Sequence, residues 1–262
     1  MPPVALRPRS TTELIDAAVQ LLRQHYMEIV TASAIFLIPA FIIRLFLPDV
    51  RAGRLPGGEQ LFALFIGAVI TVMFSIVSTA AVVVVISDSY LGREVSIVNA
   101  VQRVINRFWS VLGVAVLQSI ITAIGFVAFV IPGLLCLAWL FAGTAIVMIE
   151  GKTAVAALTR SRQLAAGSVG RILGVLFLTL LLVGVIEIIA LFLVGIAGVF
   201  IHAGTALTTL GGNLASLLIY PFFTVVITLL YYDLRIRKEG FDLEIMATEL
   251  AQGGQSAAPS TA

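Results

Sequence analysis

The stretch ILGVLFLTLLLVGVIEIIALFLVGIAGVF, residues 172–200, decides the fold class. It is long enough to cross a hydrocarbon core as one helix, since about 20 apolar residues suffice. Glu187 is its single charged residue, and no further charge follows until after Tyr232. Of the 262 residues, 60% are hydrophobic and only 11% are charged, whereas a soluble domain carries roughly 25% charged residues. The sequence therefore predicts an all-α, polytopic integral membrane protein.

Six apolar runs are long enough to be transmembrane helices. They are Ile29–Leu47, Leu61–Ile86, Val111–Ile131, Leu134–Ile149, Ile172–Phe200 and Leu214–Tyr232. Only Pro132-Gly133 separates the third run from the fourth, which favours a tight helical hairpin, because Pro and Gly interrupt a helix. A re-entrant loop is the alternative for this pair. Pro39 and Pro221 lie inside runs and are expected to kink them.

Lys and Arg are concentrated on one side of these runs, while the other side has only Arg51 and Arg54, with Arg44 just inside the first run. The positive-inside rule then predicts a multi-pass protein of the plasma (inner) membrane with both termini in the cytoplasm. The expected partners are membrane lipids, through anionic headgroups at the cytoplasmic face. A membrane protein is a second candidate partner, and nucleic acid is not expected, because the basic residues are spread over several loops.

Three segments that precede apolar runs share a pattern. SIVNAVQRVINRFW, residues 96–109, places apolar residues on one helical face and polar residues on the other, as in an interfacial amphipathic helix. The N-terminal segment repeats this theme after a capping box formed by Ser10 and Glu13. A weaker, Ala-rich third copy covers residues 153–166.

The first two of these segments also align with each other, because AVQLLRQHY (18–26) matches AVQRVINRF (100–108) in register. We interpret the chain as a single membrane domain, residues 10–251, made of three parallel repeats at about 10–90, 91–149 and 150–233. Each repeat is an amphipathic helix followed by a two-span hairpin. Chance similarity between amphipathic helices is the alternative. Residues 1–9 and 252–262 are predicted to be disordered.

Motifs for nucleotide binding or hydrolysis do not occur in the sequence, and Cys136 is the single cysteine. No catalytic residue, cofactor or metal is therefore expected. The favoured function is a non-enzymatic membrane accessory or scaffold protein that interacts with lipid. The alternative is a small transporter or channel with a polar path near Glu187, and an intramembrane enzyme is third, because convergent polar groups are few.

Two segments carry more information than their composition does: IEGKTAVAALTRSRQL (149–164) and YYDLRIRKEGFDLE (231–244). Both resemble signatures of a bacterial six-span family related to the membrane domain of glycerophosphoryl diester phosphodiesterase. The first motif, E-G…A-L-x-R-S…L, is matched by Glu150, Gly151, Ala157, Leu158, Arg160, Ser161 and Leu164. The second motif, Y-D-x-R-x-R-x-E-G-F-D, is matched by Tyr232, Asp233, Arg235, Arg237, Glu239, Gly240, Phe241 and Asp242.

The resemblance extends over most of the chain and implies a stand-alone six-span membrane domain. Arg162 occupies a position where family members often carry an aromatic residue, so the contact made there is expected to differ. The soluble phosphodiesterase barrel that is fused to some relatives has no counterpart in these residues. The resemblance therefore carries no enzymatic activity over to this chain.

Arg44 and Glu187 are expected to lie at the same depth in the membrane. Each is about 15 residues into its span, or roughly 22 Å from the cytoplasmic edge. An unpaired charge at the centre of a span costs roughly 2.5–3.5 kcal/mol on the insertion scale. A mutual salt bridge is the favoured arrangement. The alternatives are separate satisfaction, with Arg44 snorkelling and Glu187 protonated, or a proton or ion path.

Overall fold

The computed structural model describes residues 8–45, 57–200, 211–212, 214–215, 217–241 and 243. Within these ranges the chain is largely α-helical and has no β-strand, and ten of its helices are numbered. The helices are α1 (Thr11–Gln24), α2 (Tyr26–Leu45), α3 (Gly58–Tyr90), α4 (Ile97–Asn106), α5 (Phe108–Ala128), α6 (Val130–Leu140), α7 (Gly143–Ile149), α8 (Ala154–Ala165), α9 (Val169–Phe200) and α10 (Pro221–Glu239).

Six helical stretches in this part of the chain are long and apolar enough to cross a membrane. They are Tyr26–Ile43, Gly58–Tyr90, Phe108–Ala128, Val130–Ile149, Val169–Phe200 and Leu217–Glu239. Each corresponds to one of the six apolar runs of the sequence. The prediction of an all-α chain with six helices suited to a membrane is therefore confirmed.

The last of these helices ends later than its hydropathy indicates. The sequence predicts an end at Tyr232, whereas α10 continues to Glu239. Ion pairs one turn apart stabilise the additional turns, Arg237 with Asp233 at 2.9 Å and Arg235 with Glu239 at 3.3 Å. The helix is therefore longer than the apolar run, and its last turns, which carry charged side chains, lie beyond that run.

Of the three prolines in the described spans, two lie near the start of a helix and one lies inside a helix. The break between α5 and α6 falls at Phe129, whose backbone is extended, and Pro132 lies in the first turn of α6, where proline is tolerated. Pro221 follows a turn at Tyr220 and is the first residue of α10, so it interrupts the last span. Pro39 lies inside α2, and the kink expected there stays a prediction.

Small residues let α5 and α6 pack closely along each other. A Cβ atom on Gly133 would lie 2.4 Å from the ring of Phe126, and one on Gly125 would lie 3.1 Å from the Cα atom of Gly133. Close approach through glycine is typical of helix pairs in membranes. The two helices therefore form the predicted hairpin, and its second arm, Val130–Ile149, is 20 residues long and sufficient for a full span.

The second arm of this hairpin is divided into α6 and α7 by a turn at Phe141 and Ala142, which the sequence does not predict. The turn frees the backbone N–H of Ala142, which donates to the Oγ atom of Ser161 at 3.2 Å. Ser161 is fully buried on α8. Ser161, a residue of the first motif, thus accepts the hydrogen bond of a backbone N–H that the break between two helices leaves without a helical partner.

Three short helices, α1, α4 and α8, each lead within four residues into a long apolar helix. The predicted capping box begins α1, since the Ser10 N–H donates to Glu13 at 2.8 Å and the Glu13 N–H donates to Ser10 Oγ at 3.2 Å. Ser96 caps α4 in a similar way by accepting from the N–H of Asn99. Side-chain caps therefore fix the starts of two of these short helices.

The apolar stripe of α4 is divided between the protein and its surroundings. Ala100 and Val104 are buried against the bundle, whereas Val98 and Ile105 are exposed, as is Trp109 at the start of α5. The sequence places Val104, Ile105 and Trp109 on one apolar face, and of these three the bundle covers Val104 alone. The interfacial position of the helix stays a prediction.

Helices α10 and α9 are the most and the least enclosed of the six spans. In an apolar 18-residue window of the span Leu217–Glu239, which contains α10, 72% of the residues are buried. In the corresponding window of α9 only 6% are buried. Tyr231, Tyr232 and Leu234 on α10 are fully enclosed. The core therefore centres on α10, and α9 presents the extensive apolar surface that is typical of a helix facing lipid.

Candidate functional site

The two sequence motifs meet at one end of the helix bundle, which we call the charged end. It is formed by the N-terminal side of α1, the last turns of α3 and α10, the segments around α4 and α8, and the start of α9. Its principal charged residues are Arg9, Asp88, Arg93, Arg103, Arg107, Glu150, Lys152, Arg160, Arg171, Asp233, Arg235, Arg237 and Glu239.

Arg160 connects the two motifs directly. Its N–H groups donate to both carboxylate oxygens of Glu239, at 2.6 and 2.7 Å. Its Nε atom lies 3.2 Å from the carboxylate of Glu150. The hydrogen bond with Glu239 raises the pKa of Arg160 above its usual value, so this guanidinium stays charged. Bidentate pairing of this kind fixes the relative orientation of the two side chains and also neutralises their charges.

Tyr231 makes a second connection between the two motif segments, and Arg235 lies beside it. The Tyr231 hydroxyl donates to Glu150 at 3.0 Å. The guanidinium of Arg235 lies 3.9 Å from the centroid of the Phe241 ring and donates to Glu239 at 3.3 Å. A cation over an aromatic face gains a favourable electrostatic contact. Phe241 therefore helps to position Arg235.

Asp233 is the more enclosed of the two second-motif carboxylates that the structure describes, with 3% of its side chain exposed. It accepts from Arg171 and Arg237, both at 2.9 Å, and from the backbone N–H of Arg9 at 2.8 Å. Both guanidinium groups also donate to the carbonyl of Arg9. One buried acid thus ties the N-terminal segment, the start of α9 and the end of α10 together.

Asp88 organises a further group of cations at the end of α3. Its side chain is 6% exposed and lies 3.2 Å from Arg103 and 3.9 Å from Arg93. Next to it, Ser87 and the hydroxyl of Tyr232 share a hydrogen bond of 2.6 Å. Tyr232 belongs to the second motif, so this group is continuous with the ion pairs on α10.

A cavity of about 310 Å³ lies between these two groups. We call it the arginine cavity. Its polar wall consists of Arg93, Arg103, Arg235, Glu150, Ser87 and Tyr232. Since cations outnumber carboxylates on this wall, the cavity is suited to an anion rather than to a metal ion.

Two motif glycines adopt backbone conformations that other residues rarely adopt. Gly151 has φ of 72° and Gly240, which ends α10, has φ of 61°. A Cβ atom on Gly151 would lie 2.7 Å from the guanidinium of Arg107, so that side chain would have to shift. That guanidinium donates to the carbonyl of Gly151. The positive φ therefore favours glycine, and a side chain there would disturb the contact with Arg107.

Gly151→Ala is expected to lower the free energy of unfolding by about 1–3 kcal/mol, because it combines backbone strain with displacement of Arg107. The measurement is SDS-induced unfolding of the purified protein. Gly170→Ala is the matched control, since a Cβ atom at Gly170 would meet nothing within 4 Å. Equal stability of the two variants would contradict the role assigned to Gly151.

Arg162 is the position at which the sequence departs from the pattern of the family that it resembles. Its guanidinium lies 5.0 Å from the centroid of the Trp139 ring. The contact predicted to differ is therefore a cation–π contact between α8 and α6.

Several residues of the charged end were not identified from the sequence, among them Asp88, Arg103, Arg107 and Arg171. None belongs to the motifs, and the partners of Arg107 and Arg171 are distant in the chain. The sequence feature that could have indicated this part of the site is Asp88, a charged residue at the end of an otherwise apolar run.

The predicted pair of Arg44 and Glu187 cannot be located, because the side chain of Arg44 lies outside the described residues. Glu187 lies on α9 and is partly exposed. The salt bridge therefore stays a prediction. Asp242 of the second motif also falls outside the described residues, as do segment 252–262 and residues 1–7 of segment 1–9, both of which were predicted to be disordered. Arg9 of the N-terminal segment is described, and its backbone N–H donates to Asp233.

Within the described ranges, no three His, Cys, Asp or Glu side chains are grouped so that they could hold a metal ion. No family model, curated protein or solved structure matches this chain. The resemblance to the six-span family therefore stays a prediction that rests on the two motifs.

Proposed function

We propose that this protein is a non-enzymatic integral membrane accessory or scaffold protein whose charged end lies at the cytoplasmic face and contacts anionic lipid headgroups. The observation that supports this is the composition of the charged end. Its ion pairs join seven cations to four carboxylates in the described residues, which leaves three positive charges in excess. Cations near a membrane surface attract anionic lipid by about 1 kcal/mol each.

The state of the carboxylates supports a non-enzymatic role. Asp233, Glu150 and Asp88 each contact two cations. A general acid or base must contact the substrate with which it exchanges a proton, whereas these carboxylates contact cations of the protein itself. The arrangement is better suited to holding helices together and binding anions than to hydrolysis.

The exposed apolar residues near α4 support contact with the membrane surface. Val98, Ile105 and Trp109 are 78%, 59% and 78% exposed. At the boundary of a bilayer these side chains would enter the interface, as expected for an amphipathic helix. In this proposal α1 and α8 take corresponding positions, and the three units are parallel repeats related by rotation about an axis near the membrane normal.

The proposed orientation places both termini in the cytoplasm. A reporter that is active only in the cytoplasm, fused after residue 262, is expected to be active, because the cationic side of the spans is retained inside. The same reporter inserted after Arg51, between the first two spans, is the matched control and is expected to be inactive. The reverse pattern would overturn the orientation.

The function is tested by extracting the protein together with its surrounding lipid into polymer-bounded particles. We expect anionic phospholipids to be enriched in these particles relative to the bulk membrane, since the charged end attracts them. We also expect the particles not to hydrolyse glycerophosphodiesters. Particles with bulk lipid composition would refute the lipid contact, and metal-dependent turnover that is lost on mutating a span acid would refute the non-enzymatic role.

A second candidate function, a small transporter or channel, is favoured by a groove of about 460 Å³ between α3, α5 and the α6–α7 arm. Polar side chains line it within apolar spans: Thr79, Gln118, Ser119, Thr122 and Thr144. The Oγ1 atom of Thr122 is buried and has no hydrogen-bond partner. Glu187 is not among the lining residues, so the groove does not coincide with the path that the sequence suggested.

A further inference from the structure

The arginine cavity has the donors that a phosphate group requires. Arg93 and Arg103 are 62% and 51% exposed, so both guanidinium groups can be reached from the surface. The carboxylate of Asp88 pairs with one terminal nitrogen of each of these two guanidinium groups. Since a guanidinium carries five N–H donors, most of them stay available to a ligand. The hydroxyls of Ser87 and Tyr232 lie on the same wall.

The charge balance around the cavity also favours a phosphate. Among the described residues, its wall and the groups paired with the wall comprise five cations and three carboxylates, which leaves two positive charges. The cations are Arg93, Arg103, Lys152, Arg160 and Arg235, and the carboxylates are Asp88, Glu150 and Glu239. A phosphate monoester carries a charge of about −1.5 to −2 at pH 7 and would neutralise this excess.

The remaining wall of the cavity is apolar, with Val84, Leu91 and Met148 beside the cations. Arg103 lies on α4, whose exposed apolar edge includes Val98 and Ile105. Cationic and apolar surfaces therefore meet at the cavity. This combination matches the junction between a phosphate headgroup and the glycerol and acyl carbons attached to it.

We propose that the arginine cavity binds one phosphate group, held by Arg93, Arg103 and Arg235, with a phosphate monoester preferred over a diester. The inference rests on the proposed function and deepens it, because it specifies a site and a ligand chemistry for the contact with anionic lipid. The phosphate belongs either to a lipid headgroup or to a soluble phosphate, since both present the same oxygen acceptors.

The test is isothermal titration of the protein in phosphatidylcholine nanodiscs. The probes are dioctanoyl phosphatidic acid, dioctanoyl phosphatidylglycerol, dioctanoyl phosphatidylcholine and inorganic phosphate. We expect saturable binding of phosphatidic acid at one site, weaker binding of phosphatidylglycerol and none of phosphatidylcholine. Inorganic phosphate that binds as tightly as phosphatidic acid would identify a soluble ligand, and much weaker binding would identify the lipid; either result supports the cavity as a phosphate site.

Variants connect the binding to this cavity. Arg93→Gln and Arg103→Gln are each expected to weaken binding about tenfold or more, as for loss of a charged hydrogen bond. Leu91→Trp keeps every charge and fills the space, so it is expected to abolish binding even if the arginine variants are less stable. Arg162→Gln removes an exposed arginine outside the cavity and is expected to leave the affinity within about twofold.

Binding that is unchanged in Arg103→Gln and Leu91→Trp, or absent from the wild-type protein, would overturn the inference. In that case, anionic lipid that is still enriched around the extracted protein would leave the proposed function in place. Loss of both the saturable binding and the enrichment would overturn the proposed function as well.

Discussion

Asp233→Ala is expected to destabilise the protein by about 3 kcal/mol, the lower part of the range for breaking a buried charge pair, because its arginine partners are partly exposed. The substitution removes the acceptor shared by Arg171, Arg237 and the backbone N–H of Arg9. The two guanidinium groups would then lie next to each other without a counterion. Unfolding by SDS in detergent micelles measures the effect.

Asp16→Ala is the matched control for this substitution. Asp16 is an exposed aspartate on α1, and its loss is expected to change the free energy of unfolding by no more than about 0.5 kcal/mol. Asp233→Asn separates charge from hydrogen bonding, since asparagine keeps one acceptor oxygen. A destabilisation by Asp233→Ala no larger than that of Asp16→Ala would show that the ion pairs of Asp233 do not hold the charged end together.

Arg160→Gln is expected to cost about 2 kcal/mol, less than the loss of Asp233, because Arg160 and Glu239 are more exposed. Without this guanidinium, Glu150 and Glu239 lose the cation that they share. The two motif segments would then be linked mainly through Tyr231. The readout is the same SDS-induced unfolding transition.

A double-mutant cycle identifies the partner of Arg160. Arg160→Gln and Glu239→Gln together are expected to cost less than the sum of the two single variants, with a coupling of about 1 kcal/mol. Arg162→Gln combined with Glu239→Gln serves as the control and is expected to be additive, since Arg162 contacts Trp139 instead. Additive behaviour of the first pair would contradict the link between the motifs.

The number and approximate positions of the spans were predictable, because hydropathy over about 20 residues reports directly on the cost of placing a helix in a membrane. Helix ends were less predictable. The last turns of α10 are stabilised by the pairs Arg237–Asp233 and Arg235–Glu239, which a hydropathy scale counts only as charges. The turn at Ala142 depends on a hydrogen bond that its backbone N–H donates to Ser161, which is distant in the sequence.

The motif residues were identified as a set, but the way in which they meet was not predictable. Glu150 and Arg160 belong to one segment, and contact between them is a local matter of the turn at Gly151. The pairing of Arg160 with Glu239 spans 79 residues and depends on how α8 packs against α10. A single sequence contains no information on such distant pairs unless a repeat or a motif with known contacts supplies it.

The central claim is that the charged end forms one lipid-contacting cluster on a closed helix bundle. It is tested most directly by a cryo-electron microscopy structure of the protein in nanodiscs that contain anionic lipid. The account predicts ion-paired Arg160, Glu150 and Glu239, with ordered lipid headgroups beside Arg93 and Arg103. A continuous water-filled path through the membrane alongside Glu187, with no ordered headgroup at the charged end, would contradict it.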